Sequence, residues 1–179
     1  MNRMLAAAIP FALVPFLTFA AGSDDTAPPT PTATTTKCEE GLVFDEKTRK
    51  CVEPVEGRLD DDTLYQAVRE LAYAGKYDGA LKVLSAMSDP ADDRVLTYLG
   101  FINRKMGNVE RGLDYYDVAL KLNPDNILAR SYLGQALVEQ GEIEMAQAQL
   151  DEITARGGVG TWAEKSLRQA IATGVTYTY

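Results

Sequence analysis

The sequence predicts an all-α fold. It is a solenoid of helix-turn-helix repeats, about three of them plus a capping helix, preceded by a small disulfide hairpin. Three observations predict it. Tyr98-Leu99-Gly100 returns 34 residues later as Tyr132-Leu133-Gly134, and Gly107 returns at the same interval as Gly141. From Asp60 onward, apolar residues recur with the period of about 3.6 that marks amphipathic helices. Upstream, the only two cysteines, Cys38 and Cys51, bracket a short turn-rich stretch.

The N-terminal region is not expected to join this fold. Arg3 precedes an uncharged run from Met4 to Ser23 that ends in small residues around Ala20. A basic start, an apolar run and a small-residue end read as a secretory signal over residues 1–21. Pro10 and Pro15 interrupt any spanning helix. Export to the periplasm, with removal of the segment, is the expectation. The alternative is an uncleaved helix in the inner membrane, and only then is the membrane a partner. Residues 22–37, GSDDTAPPTPTATTTK, hold too little apolar surface to offset the entropy of ordering them. They are expected to be a disordered Thr/Pro linker.

The net charge is −8 and there is no histidine. An acidic chain without a basic run lacks the clustered cations that bind nucleic acid or anionic lipid. Two cysteines and no histidine leave no transition-metal set of the usual spacing. Asp60-Asp61-Asp62 lacks the alternating oxygen ligands and the glycine of a calcium loop. It reads instead as the capped start of a helix. No cofactor is expected.

In an oxidising compartment Cys38 and Cys51 are expected to pair and staple a hairpin over residues 38–58. LVF forms one strand, DEKTR the turn and KCV the return. Closing such a loop stabilises it by about 3 kcal/mol in the chain-entropy model. The spacing C-x-x-G-x-x-F-D-x-x-T-x-x-C is similar to the last hairpin of peritrophin-type chitin-binding modules. Four of their six cysteines and most of their aromatic surface are missing. Cell-wall or carbohydrate binding through this hairpin is therefore the alternative function, and a structural staple is the main one.

From Asp93 to Asn126, Leu96, Leu99, Gly100 and Asn103 define one helical face. Gly107 breaks it, Gly112, Tyr116 and Ala119 define a second, and Pro124 ends the unit. Shifted by 34 residues, Arg130, Leu133, Gly134 and Leu137 precede Gly141, and Ala146, Leu150 and Ile153 follow. The pattern resembles the tetratricopeptide repeat, here in an exported bacterial protein. Its units are residues 61–92, which are degenerate, 93–126 and 127–160, followed by a cap at 161–173, so the helical domain spans 61–174. Gly100 and Gly134 are expected to admit a close helix, and Gly107 and Gly141 to reverse the chain. Thr161 with Glu164 forms a capping-box pattern, and Trp162, Leu167 and Ile171 cover the last apolar face.

The resemblance implies a groove lined by the first helix of each pair. On this chain its positions are Asp62, Tyr65, Arg69 and Tyr73, then Arg94, Thr97, Phe101, Arg104 and Lys105, then Leu128, Ser131, Gln135 and Glu139. Arg69, Arg94, Arg104 and Lys105 are expected to converge with Tyr65, Tyr73 and Phe101 on a partner segment with carboxylates and an apolar anchor. The competing reading is that the cations pair locally. The carboxylate-clamp pattern of chaperone-binding relatives is not reproduced. No nucleophile elbow, phosphate loop or paired carboxylates in a pocket are evident, so an enzyme is not expected. The implied function is a non-enzymatic adaptor that binds another cell-envelope protein. Three repeats are near the minimum for stability, which leaves a homodimer covering an open end as a further expectation. The VTYTY tail is expected to fray.

Overall fold

A computed structural model describes residues 26–177, so the expected signal segment and the last two residues of the tail lie outside the described residues. The first described element is a single helical turn, α1 (Ala33–Thr36). Strands β1 (Val43–Asp45) and β2 (Lys50–Val52) pair antiparallel, with Val43 opposite Val52 and Asp45 opposite Lys50. Three helix pairs follow: α2 (Asp61–Tyr73) with α3 (Tyr77–Leu84), α4 (Asp93–Lys105) with α5 (Val109–Leu122), and α6 (Ile127–Glu139) with α7 (Ile143–Ala155). Helix α8 (Trp162–Thr173) closes the series. Each pair packs on itself, and α2, α4, α6 and α8 pack in succession. The fold is the expected repeat solenoid with a disulfide hairpin before it.

Local chemistry sets where each unit starts and turns. First helices begin at polar side chains that satisfy an early backbone N–H. Asp60 caps Thr63, Asp92 caps Arg94, Asn126 caps Ala129 and Thr161 caps Glu164. The second helices α3, α5 and α7 have no side-chain cap. Each instead follows a glycine in the left-handed region. At Gly107, φ is +87°, and the next amide, on Asn108, closes on the Asn103 carbonyl at 2.9 Å. The same closure recurs 34 residues on, from Glu142 to Leu137 at 2.9 Å.

The glycine of the Tyr-Leu-Gly motif is required by contact. A Cβ on Gly100 would lie 2.5 Å from the Tyr116 ring on α5. Its counterpart Gly134 meets a different neighbour, because a Cβ there would lie 2.6 Å from the Leu167 side chain on α8. One motif thus serves two close approaches, one within a repeat and one between the third repeat and the cap. Arg130 occupies a position usually apolar in the family. It is buried, and its guanidinium donates to the Pro124 carbonyl at 2.8 Å and to Gln149 Oε1 at 3.1 Å.

The N-terminal region departs from expectation. Within the reach of the expected disordered linker, residues 26–37 are ordered against α2. Glu70, itself buried, accepts from the Thr32 amide at 2.8 Å and from the Thr32 and Thr35 hydroxyls at 3.0 Å. Composition predicts disorder because the segment holds almost no apolar surface. Order comes instead from a buried carboxylate that needs these donors. Cys38 and Cys51 are bonded. Their hairpin is no free module either. Val43 joins the core of the first repeat, Gly41 lies against α3, and Lys82 pairs with Glu53 at 2.5 Å. The hairpin and α1 therefore cover the first repeat, as α8 covers the last. Both ends are closed within one chain, which removes the open end that a dimer was expected to bury. Among the described residues no helix is long and apolar enough to cross a membrane.

Gly100→Ala and Gly134→Ala are each expected to lower unfolding free energy by about 1–3 kcal/mol, the usual cost of overpacking, in denaturant titrations. Reduction of Cys38–Cys51 is expected to lower it by about 3 kcal/mol, the closure entropy of a short loop. Comparing denaturation with and without a thiol reductant checks this.

Candidate functional site

The face lined by α2, α4 and α6 carries the residues expected to form a groove. The structure brings them together, but as an interior seam. Tyr73 stacks on Phe101 with centroids 5.6 Å apart, and Phe101 lies 4.9 Å from Tyr132. The Tyr73 and Tyr132 hydroxyls hydrogen-bond at 2.7 Å. Tyr65 meets Tyr98 edge-on at 5.6 Å. Phe101 is 1% exposed and Tyr65 8%, so neither stands out as an anchor for a partner. Aromatic pairs of this kind add stabilisation beyond their buried area. Here they join three helices that are 30 or more residues apart in sequence.

The polar positions are likewise engaged. Thr97 donates to the Asp93 carbonyl at 2.6 Å and accepts from Asn126 at 3.0 Å. Ser131 donates to the Ala163 carbonyl at 2.8 Å and accepts from Gln135 at 3.3 Å. Both Ser131 and Gln135 are fully buried, and Ser131 bonds directly to α8. They hold the cap in place.

The four cations do not wait for an acidic segment. Arg69 is buried and donates to the Ala27 carbonyl at 2.6 Å and to Gln66 at 2.8 Å. Arg94 bonds to Asp92 at 2.8 Å and to Asp62 at 2.9 Å. Its hydrogen bonds with Asp92, then those with Asp62, hold its proton more firmly than usual. Arg104 has a side chain only 2% exposed and pairs with Glu139 at 2.7 Å. Burial opposes its charge, but the neighbouring Tyr116 and Glu139 outweigh it and raise its pKa. Lys105 donates to the Tyr177 carbonyl at 2.8 Å, and burial beside Arg104 lowers its pKa. Burial likewise pushes the Tyr116 hydroxyl up to about 12. The expectation of a free basic groove is thus replaced by local pairing. A chain with more carboxylates than cations has acceptors near every cation, and desolvation on a packed face makes pairing necessary.

Both ends of the described chain reach this face. Thr26 Oγ1 accepts from the Ala163 amide at 3.0 Å, at the start of α8. At the other end Thr176 donates to Glu139 at 2.5 Å, and Tyr177 donates to Gln169 at 2.5 Å. Residues 175–177 of the tail, expected to fray, are therefore engaged. Beside Thr26 a cleft of about 590 Å³ opens at the starts of α2, α4 and α6. It is lined by Asp62, Tyr65, Gln66, Arg94, Asn126 and Leu128, among others. Asp93 is fixed in its wall, accepting from Asn123 at 2.9 Å and from Asn126 at 2.6 Å. Groove positions alone did not reveal Asn126, Gln66 or Glu70. Asn126 carried one signal, its place as a cap before an apolar run. Among the described residues no group of three or more His, Cys, Asp or Glu side chains is placed to hold a metal ion.

Glu139 links Arg104 to the tail. Burial pushes its carboxyl up, but Arg104 and then the Thr176 hydroxyl outweigh this and hold it below the ordinary 4.5. A depressed carboxyl contributes stability above its unfolded pKa and loses it as pH falls through the folded value. The stability difference between the natural chain and Glu139→Gln is therefore expected to hold from pH 7 to 5 and to shrink below 4.5. Glu139→Ala is expected to cost about 3 kcal/mol at pH 7, because it strands the buried Arg104 guanidinium. Thermal unfolding across pH checks both.

Comparison with known proteins agrees with this architecture. Residues 103–158 match the family model of the tetratricopeptide repeat. The chain is 35% identical over 81 residues to the photosystem I assembly protein Ycf3 of Acaryochloris marina (strain MBIC 11017), covering 45% of this chain and 49% of that protein. It is 34% identical over 94 residues to the Ycf3 of Cyanophora paradoxa, covering 48% of this chain and 54% of that one. The chain spans about half the length of the curated relatives it matches. No solved structure matches it significantly. With repeated helix pairs, glycine-closed turns and a matching family model together, the chain is a tetratricopeptide-repeat protein.

Proposed function

We propose that this chain is a non-enzymatic adaptor of the bacterial cell envelope, holding a segment of a partner protein against the face of α2, α4 and α6. The observation that carries the reading is the cleft of about 590 Å³ at the starts of these helices. Three successive repeats contribute to it, so its shape exists only in the assembled array. Its walls offer the Tyr65 ring, the Gln66 amide and the Asp62 and Arg94 charges, a mixture suited to main-chain and side-chain contacts with an extended peptide. The repeat architecture supports protein–protein interaction. The relatives are named for the assembly of photosystem I, which supports an assembly role: holding one component while a larger complex is built.

The apolar run after Arg3 and the bonded Cys38–Cys51 pair support export to an oxidising periplasm, with the N-terminal run as an inner-membrane anchor if it is retained. A single covered array supports action as one copy. The partner segment is not required to be acidic, because the cations on this face are engaged within the chain. Nothing in the hairpin favours carbohydrate binding, since Val43 and Val52 are turned inward and buried.

A photo-cross-linking residue at Gln66, exposed at the cleft, is expected to capture one envelope protein. The same residue at Asp117, exposed on α5, is expected not to. Equal capture from both positions, or capture from Asp117 alone, would move the binding surface to the second-helix side.

A further inference from the structure

Two clusters of contacts fasten the segment ahead of the hairpin to the first-helix face. At one end Thr26 Oγ1 takes the Ala163 amide at 3.0 Å, and the Ala27 carbonyl takes the Arg69 guanidinium at 2.6 Å. These two contacts bridge α8 and α2, the last and first helices of the array. At the other end Glu70 takes three donors from Thr32 and Thr35. Lys76 donates to the Thr35 carbonyl at 3.2 Å, and the Thr34 hydroxyl, on a buried residue, accepts from the Phe44 amide at 3.1 Å. Between the clusters, Pro28, Thr30 and Pro31 are exposed. Pro28, Pro29 and Pro31 donate no backbone hydrogen bond and favour an extended chain.

This is how an extended peptide ligand is held. Main-chain carbonyls and short hydroxyls make the contacts, few side chains are large, and a proline-rich centre keeps the entropy of ordering low. The receptor groups are matched to it. Arg69 and Glu70 are charged, adjacent and both buried, and each is satisfied by this segment. Thr26 is also a wall of the cleft.

We propose that residues 26–36 are a ligand in cis for the first-helix face, a strap that borders the cleft and that a partner's extended, uncharged Thr/Pro-type segment displaces. This rests on the reading that the same face binds the partner. The strap keeps Arg69 and Glu70 satisfied when no partner is present. A partner must supply a carbonyl for Arg69 and hydroxyl or amide donors for Glu70. The face then selects by hydrogen-bonding pattern, with net charge secondary.

The test uses the full chain and a Thr26→Ala/Thr32→Ala/Thr35→Ala variant, with a fluorescent peptide of residues 22–37 as probe. The peptide is titrated to about 1 mM, the order of the effective concentration that a short tether provides. Circular dichroism confirms equal helix content. Fluorescence anisotropy is expected to show at least about tenfold tighter binding to the variant than to the unsubstituted chain. Adding Arg69→Met and Glu70→Gln to the variant is expected to abolish that gain. Equal binding to both chains, or binding to neither, would overturn the strap. A strap exchanged between two copies, seen as a dimer in sedimentation, would overturn its action in cis.

The Gln66 cross-linker on the same two chains separates the two readings. A partner captured equally by both refutes the strap and leaves the adaptor. Peptide competition with no partner captured from Gln66 retains the strap as a ligand in cis and refutes the adaptor.

Discussion

The contact of Phe101 with Tyr132, 4.9 Å between ring centroids, joins the second repeat to the third, and the stacking of Tyr73 on Phe101 joins the first to the second. The array depends on this seam. A helix pair joined by a tight turn cannot bury its own apolar faces, so each pair must lend a face to the next. The seam does so with rings large enough to reach across neighbouring first helices. The glycines at 100 and 134 follow from the same need, since a helix drawn close to its neighbour leaves no room for a Cβ.

Covering the two ends is the second consequence. At the C-terminal end α8 packs on α6 and α7, with Ser131 and Ser166 joined across the contact at 3.1 Å. At the N-terminal end the solution uses less helix. A two-stranded hairpin held by one disulfide supplies Val43 to the core, and the Thr-rich turn α1 satisfies Glu70. A hairpin of this size has too little core to fold alone, which explains why it is both stapled and docked.

Charge follows burial. The chain is acidic, yet its arginines are drawn inward wherever first helices meet, because their long stems fill space and their guanidinium groups find carboxylates or carbonyls. Arg104 reaches Glu139, Arg130 reaches the Pro124 carbonyl, and Arg69 reaches the Ala27 carbonyl. A face that seems basic in one dimension is neutralised in three. What remains open to a partner is the polar, mixed cleft beside Thr26.

The sequence by itself determined the helix pairs, their turns, their caps and the disulfide. Each of these is written in local chemistry: a 34-residue period, glycines at chain reversals, Asp60 and Thr161 at helix starts, and two cysteines. The groove positions were legible as places on first helices, but their availability was not. Whether Phe101 is a seam or an anchor, and whether Arg104 is free or paired, depends on which other segments lie against them. Only the tertiary structure decided that residues 26–37 are ordered, because their order comes from Glu70 and Arg69, far along the chain. Composition measures the apolar surface a segment can bury by itself. It does not register a buried carboxylate elsewhere that needs that segment's hydroxyls.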